Sequence, residues 1–325
     1  MLVELLHRLL ASEDPNLRDL VIAVLVRGRD RAEKVRKEYG NHIECIDFKD
    51  FDDTAFLINL ASQYDLVVNA GSGFHPPSAD AFVQGLSKRE LDKSGFQRTW
   101  MIYTGGCSNV SDRPLTGEAF PDREPDDTYA EDVYKFEHAE NKKSGGMYFR
   151  NGDGLFNRAG LMVPIMMSYV LQKGYGFILG DGSGVIDYVH IADLADLYVL
   201  CVAEVVVTKG ATQNIPCGKK GICLDAAFAA SVLPKDLKEG SPTEKEIRTV
   251  DLTEAATTTA GNLIVAELGW AGHRKTKGTV ARAQLGWNPQ NGEDAWIAGF
   301  AEELPYLVNG QRGVTIDSCI AEKTT

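Results

Sequence analysis

Residues 19–30 read DLVIAVLVRGRD. From Val21 to Val26 the run is unbroken, apolar and rich in β-branched side chains. A strand with one wet face would alternate apolar with polar, so an unbroken run fits a strand covered on both faces, as in a parallel sheet. On its amino side Ser12, Asp14, Pro15 and Asn16 form a breaker cluster. Before them, leucines at positions 2, 5, 6, 9 and 10 have helical spacing. On its carboxyl side RAEKVRKEYG (31–40) reads as a charged helix closed by Gly40, and HIECIDFKD (42–50) as a second strand. TAFLINLASQYD (54–65) is helical, and DLVVNAGSG (65–73) is a strand ending in a glycine loop. A long polar helix then runs through Lys93, before TWMIYTGGCSNV (99–110), a fourth strand with its own glycine loop.

Strand and helix alternate with short links, which predicts an α/β doubly wound parallel sheet with right-handed crossovers. Ligands bind such sheets at the carboxyl ends of the strands. The informative positions are then Arg27 to Arg29, Asp47 and Phe48, Asn69 to Gly73, and Thr104 to Ser108. From Asp112 to Gly146 the chain turns polar and acidic, which predicts a loop over the sheet edge or an irregular insert. MYFRNGDGLFN (147–157) reads as a strand and loop, VPIMMSYVLQKG (163–174) as an apolar helix, TEAATTTAG (253–261) as a flexible link, and the chain from Asn309 as a polar tail.

At 325 residues with 44% apolar and 25% charged side chains, the composition is that of a globular protein with a large core. A net charge of −12 argues against nucleic acid and against an anionic membrane surface as partners. Cys45, Cys107, Cys201, Cys217, Cys223 and Cys319 stand singly, with no CxxC pair and no zinc spacing, which fits reduced thiols in the cytoplasm and no metal site. Glu4, His7 and Arg8 rule out a signal-peptide core at the start. The apolar run at 194–207 is broken by Asp196 and Glu204 and is too short to span a bilayer.

Four stretches together resemble the extended short-chain dehydrogenase/reductase family of NAD(P)-dependent epimerases, dehydratases and reductases. GFILGDGSGVIDYVHIADLADLYVL (176–200) carries the family's YVHxxDLA-type core, and ARAQLGWNP (281–289) resembles its late helix and LGW turn. DLVVNAG (65–71) resembles the strand beneath the cofactor, and VLVRGRDRAEKV followed by IECIDFKD resembles the second and third Rossmann strands. The likeness runs from Met1 to about residue 305. It implies a Rossmann-like NAD(P)-binding domain over 1–160, to which 186–204 return, and a smaller substrate domain made of 161–185 and 205–325. In the family a strand and a GxxGxxG turn come before the first helix. MLVELLHRLL (1–10) fits that helix, while the strand and turn have no counterpart here. The resemblance therefore predicts a slot between neighbouring strands and assigns no residue to the pyrophosphate.

The resemblance also implies site residues. Arg27 and Arg29 fall where the adenosine ribose lies, and arginines there favour the 2′-phosphate of NADP over NAD. Asp47 and Phe48 match the family's Asp-Leu pair at the adenine, and Asn69, Ala70 and Gly71 are the small strand end beside the cofactor. The family's carbonyl-binding hydroxyl falls on Gly106, leaving Thr104 and Ser108 as substitutes. Family enzymes pair Tyr with Lys four residues on, so that the ammonium eases proton transfer by the phenol. No such pair falls around Tyr129 and Tyr134, where the family's helix would lie. Tyr134 with His138 at the same offset is the available pair. Asp187 and Tyr188 fall near the substrate, while His190 and Asp193 read as architectural.

These readings predict an NAD(P)-dependent oxidoreductase or epimerase acting on a small carbonyl or sugar-like compound, possible as a homodimer by analogy. The missing glycine turn and Tyr-Lys pair leave a second reading open. In it the chain is a Rossmann protein that has lost catalysis and acts as a nucleotide-sensing or regulatory binding protein.

Overall fold

The structure, a computed structural model, describes residues 2–70, 75–144, 162–218, 228–231, 246–259 and 261–309. The leucine-rich opening forms helix α1 (Leu2–Leu10), and the breaker cluster forms the short α2 (Pro15–Arg18), capped by the Asp14 carboxylate accepting from the Asn16 N–H. The apolar run supplies strand β1 (Ile22–Val26). After it come α3 (Arg29–Tyr39), β2 (Ile43–Asp47), α4 (Thr54–Ala61), β3 (Leu66–Asn69), α5 (Pro76–Ser87) and β4 (Trp100–Tyr103). Helix α5 stops at Ser87 and a 3-10 turn covers Leu91–Lys93, so the helix expected through Lys93 is shorter than its polar pattern suggests.

The chain divides into two compact units. The first contains Met1–Gly105 and Ala195–Ile215. In it β1 pairs with β2 and β3 with β4, both in parallel, with Val26 opposite Asp47 and Asn69 opposite Tyr103. Strand β1 is covered on both faces, which explains its unbroken apolar sequence. Ile22, Val24 and Val26 pack with Leu6 of α1 and with Ala32, Val35 and Tyr39 of α3. Leu25, pointing the other way, joins Leu57 of α4 and Phe82 of α5, together with Val67 of β3 and Met101 of β4. Among the described residues the two strand pairs stay separate, with no ladder joining β1 to β3. The segment 195–215 is tied in by Trp100, whose indole N–H donates to the Gly210 carbonyl at 2.8 Å, and by Arg98, which donates to the Gly210 and Thr212 carbonyls.

The remaining described residues form the second unit. Its elements are α6 (Ala130–Ser144), α7 (Met162–Lys173), β5 (Gly176–Leu179), β6 (Val185–Tyr188), α8 (Ile191–Val207), β7 (Phe228–Ser231), β8 (Ile247–Val250), α9 (Leu252–Ala256), α10 (Leu263–Trp270), α11 (Thr279–Leu285) and α12 (Glu293–Val308). Residues of α8 from Ala195 onward belong to the first unit. Strand β5 pairs in parallel with β8, and β6 in antiparallel fashion with β7. The core gathers Leu179, Val250, Ala255, Ala256, Ala266 and Trp270, with Met166 and Phe177 packed against it. The whole is a mixed α/β protein built on small, mostly parallel strand pairs.

Two sequence expectations change here. The stretch at 253–261, read as a flexible link, is largely helical, and Ala255 and Ala256 are core residues. Small side chains there allow close helix packing rather than looseness. The acidic stretch from Asp112 is irregular, as expected, up to the 3-10 turn Asp127–Tyr129, but it then enters α6 at Ala130, and Asp112 and Asp127 within it are buried. The expected strand at 147–157 and the expected domain boundary at residue 160 lie outside the described residues, as does the tail beyond Asn309. No helix among the described residues is long and apolar enough to cross a membrane.

Candidate active site

In the first unit the sequence-predicted residues lie at the carboxyl ends of the parallel strands. Arg27 follows β1, and Gly28, with φ 86°, turns the chain into α3 at Arg29. Only glycine takes that φ without strain, and a Cβ placed on it would meet nothing within 4 Å, so the space beside it is open. Arg27 and Arg29 flank this glycine in sequence, the first half-buried and the second exposed. Asp47, opposite Val26 at the end of β2, is exposed, and its Oδ1 accepts the Gly28 N–H at 3.3 Å. The carboxylate thus braces the glycine turn. Phe48 is buried, its N–H donates to the Val26 carbonyl, and its ring meets Phe51 at 5.1 Å between centroids.

Asn69 and Ala70, at the end of β3, are buried, and Gly71 lies outside the described residues. Thr104, just past β4, donates its N–H to the Asn69 carbonyl at 3.0 Å. Its hydroxyl is hydrogen-bonded to the hydroxyl of buried Tyr198. That bond turns Thr104 into the packing of its own unit.

In the second unit, Tyr134 and His138 share one face of α6, as their spacing predicts. Their rings stack with centroids 5.8 Å apart and planes 12° from parallel. Stacked rings do not put a ring nitrogen on the phenolic oxygen, so this histidine does not take the position a hydrogen-bonded lysine would. Ser108 sits in the 3-10 turn Cys107–Val110. Its neighbour Asn109 donates to the Glu137 carboxylate at 2.9 Å, fastening that turn to α6 between Tyr134 and His138. Burial raises the Glu137 pKa, against the lowering by Asn109.

Asp187 and Tyr188 end β6. The Asp187 carboxylate accepts the Thr276 N–H at 3.0 Å and the Thr276 hydroxyl. Tyr188 packs edge-on against Trp296 with centroids 4.9 Å apart. Burial first, then the charges of Asp193 and Glu302, raise its phenol pKa, so Tyr188 stays protonated. The architectural reading of the next two residues matches their contacts. His190 Nδ1 accepts the Ala192 N–H at the start of α8. Buried Asp193 accepts the N–H groups of Gln290 and Asn291, both at 2.9 Å. The Asp193 carboxylate thus holds a distant segment of the chain. Among the described residues no group of three or more His, Cys, Asp or Glu is placed to hold a metal ion.

No protein-family model matches the chain, and no curated protein does. Among solved structures it is similar to the dTDP-glucose 4,6-dehydratase DesIV of Streptomyces venezuelae. The double mutant of that protein, solved with NAD bound, gives a TM-score of 0.49 at 13% identity over 93% of each chain. A second structure of DesIV, also with NAD bound, gives 0.48 at 14% identity over 94% of this chain and 93% of that one. Pal of Bacillus thuringiensis gives 0.45 at 14% identity over 94% and 96%. Likeness at this level carries no argument about the chemistry of this chain, which rests on its own residues.

Proposed function

We propose that this chain binds a nicotinamide dinucleotide, with NADP preferred, and acts as an oxidoreductase or epimerase of the extended short-chain type on a small carbonyl or sugar-like substrate. The observation that carries the reading is the end of β1 and β2. There an open glycine turn is flanked by Arg27 and Arg29 and braced by Asp47. Arginines on both sides of an open turn suit a phosphate, because the guanidinium can bind it in bidentate fashion. These residues fit the adenosine and 2′-phosphate end of such a cofactor. The helices packed on both faces of β1 further support a doubly wound arrangement.

The nicotinamide, when bound, supplies or accepts a hydride. The chain's own part would be the proton. Tyr134, half-buried on α6, is the proposed donor to the substrate oxygen. Ser108 is the better candidate to hold that oxygen, because the Thr104 hydroxyl is already engaged by Tyr198. His138 stacks its ring on that of Tyr134 and is not the lysine that family enzymes carry at this offset. This one observation also favours the second reading, a nucleotide-sensing protein that binds without turnover.

Titration of the chain with NADPH and NADH, followed by tryptophan fluorescence, tests the proposal. NADPH should bind more tightly, and Arg29→Ala should erase the difference. Absence of binding by the folded protein overturns the reading. Binding without turnover of any carbonyl substrate, unchanged in Tyr134→Phe, favours the sensing role.

A further inference from the structure

Away from these residues, the second unit holds a hydrogen-bonded chain of three side chains. Asp112 is 2% exposed and accepts the His273 N–H at 2.7 Å and the Phe120 N–H at 2.5 Å. The Asp112 Oδ2 atom also lies 2.7 Å from Nδ1 of His273, itself 7% exposed. On its other side His273 Nε2 lies 3.0 Å from Oγ of Ser183, which is exposed. A carboxylate only accepts, so Asp112 fixes the ring proton on Nδ1 and turns the Nε2 lone pair toward the serine. That is the order of groups in which a histidine, oriented by a buried carboxylate, takes the proton of a nucleophilic hydroxyl.

The local backbone holds this geometry. Ser183 lies in GDGSG (180–184), between two glycines, with Gly182 at φ 77°. A Cβ on Gly184 would come within 3.0 Å of the Trp270 carbonyl oxygen, so the chain beyond the serine runs hard against the end of α10. Val185 donates to the Gly272 carbonyl at 3.1 Å and accepts from the Arg274 N–H at 2.8 Å. These two bonds flank His273 and set its ring against the start of β6. They tie the two segments without help from Ser183, so the join does not depend on the contact between its hydroxyl and Nε2. Glycines on both sides also leave the hydroxyl open to approach.

We propose that Ser183, with His273 as base and Asp112 as its orienting group, is a nucleophile that accepts acyl groups from small carboxylic esters. Asp181 narrows the class. Its exposed carboxylate is 2.5 Å from the Ser183 hydroxyl and also accepts the Ser183 N–H, so its negative charge sits beside the attacking atom. Neutral or cationic esters are therefore the substrates, and anionic ones are repelled. The resting hydroxyl proton has two acceptors, Asp181 and His273. In the reaction it passes to His273 Nε2 as Oγ bonds to the ester carbonyl carbon. Collapse of the tetrahedral adduct breaks the bond to the alkoxy oxygen, and the leaving alcohol takes the proton back from His273. Water then attacks the acyl-serine, again giving a proton to His273, and releases the carboxylic acid and free Ser183. Ester and water are the only reactants.

The test uses the whole chain, a fluorophosphonate probe and p-nitrophenyl acetate, with the labelled residue found by peptide mass spectrometry. The probe should phosphonylate Ser183 with loss of fluoride, and the ester should be hydrolysed. Ser183→Ala, an exposed change that leaves the core intact, should abolish both. His273→Gln should slow labelling by about a hundredfold or more. Should that variant fail to fold by circular dichroism, Asp112→Asn decides, because an amide keeps a carbonyl acceptor but loses the carboxylate that holds the proton on Nδ1, and labelling should slow. A folded protein without label on Ser183, or labelling unchanged in a folded His273→Gln or Asp112→Asn, overturns the proposal. No nicotinamide is needed, so each outcome is independent of the dinucleotide reading.

Discussion

Asp47 of the first unit and Glu267 of the second both accept hydrogen bonds from backbone amides, yet they sit at opposite ends of one scale. Asp47 is exposed at a strand end and holds the Gly28 N–H at 3.3 Å. Glu267 is 0% exposed on α10 and accepts the N–H groups of Leu115 and Thr116, at 2.6 and 2.8 Å, and the Thr116 hydroxyl at 2.5 Å. Water can replace what Asp47 does. Nothing replaces Glu267, because a buried donor stripped of its acceptor loses both water and partner. The second unit repeats the device with Asp112, Asp127 and Asp193. The first unit builds its core from apolar clusters and leaves the polar groups of β1 and β2 at their exposed ends. The buried carboxylates of the second unit pin backbone amides, whereas Asp47 of the first braces an exposed turn.

That contrast predicts its largest effect at Glu267. Glu267→Ala leaves three donors without an acceptor and should lower unfolding free energy by about 3–5 kcal/mol. Urea denaturation followed by circular dichroism measures it, and a loss under about 1 kcal/mol would break the distinction drawn here. Asp193→Ala should cost less, about 2–3 kcal/mol, since it strips the amides of Gln290 and Asn291 and the Asn291 side-chain N–H, the last at 3.0 Å. Its loss should be confined to the second unit, visible as early hydrogen exchange around 287–291. If exchange there is unchanged, Asp193 is not the pin of that segment.

At the other end of the scale, Asp47→Ala should change stability by no more than about 0.5 kcal/mol. If the proposed function holds, it should still weaken NADPH binding measurably, by loosening the turn that carries Arg29. A large stability loss with unchanged binding would reverse the assignment and make Asp47 a pin like the others.

The sequence made the local elements plain and hid the long-range partners. The unbroken run of β1 and the Gly40 closure of α3 were legible because each rests on neighbours in the chain. The tie between Asp112 and His273 was not, since the two lie 161 positions apart and neither stands in a recognisable motif. The stretch 176–200 stands out in sequence for its YVHxxDLA-type core, and only the fold shows that Ser183 within it meets a histidine. The burial of Asp112 and Asp127 was hidden for the same reason. Charge density reads as solvation unless the buried amides awaiting each carboxylate are known. Tyr134 and His138 were correctly placed on one helix face, but spacing could not distinguish stacking from a hydrogen bond.

Glu137 lies between the two classes and gives the smallest effect. Its carboxylate accepts from Asn109, as a pin would, but burial outweighs that bond and its pKa is raised in the folded protein. The sign follows from linkage. Below the ordinary glutamate range the group is protonated whether the chain is folded or not, and it costs nothing. As pH rises through that range the unfolded chain releases the proton first, so stability falls until the folded group has ionised too. Glu137→Gln removes the ionisation and keeps a carbonyl acceptor for Asn109. The variant should therefore match the wild type in acid and exceed it slightly near neutrality, in urea midpoints taken across that range. A wild type that instead gains on the variant as pH rises would show the Asn109 bond dominating, and would move Glu137 into the company of Glu267.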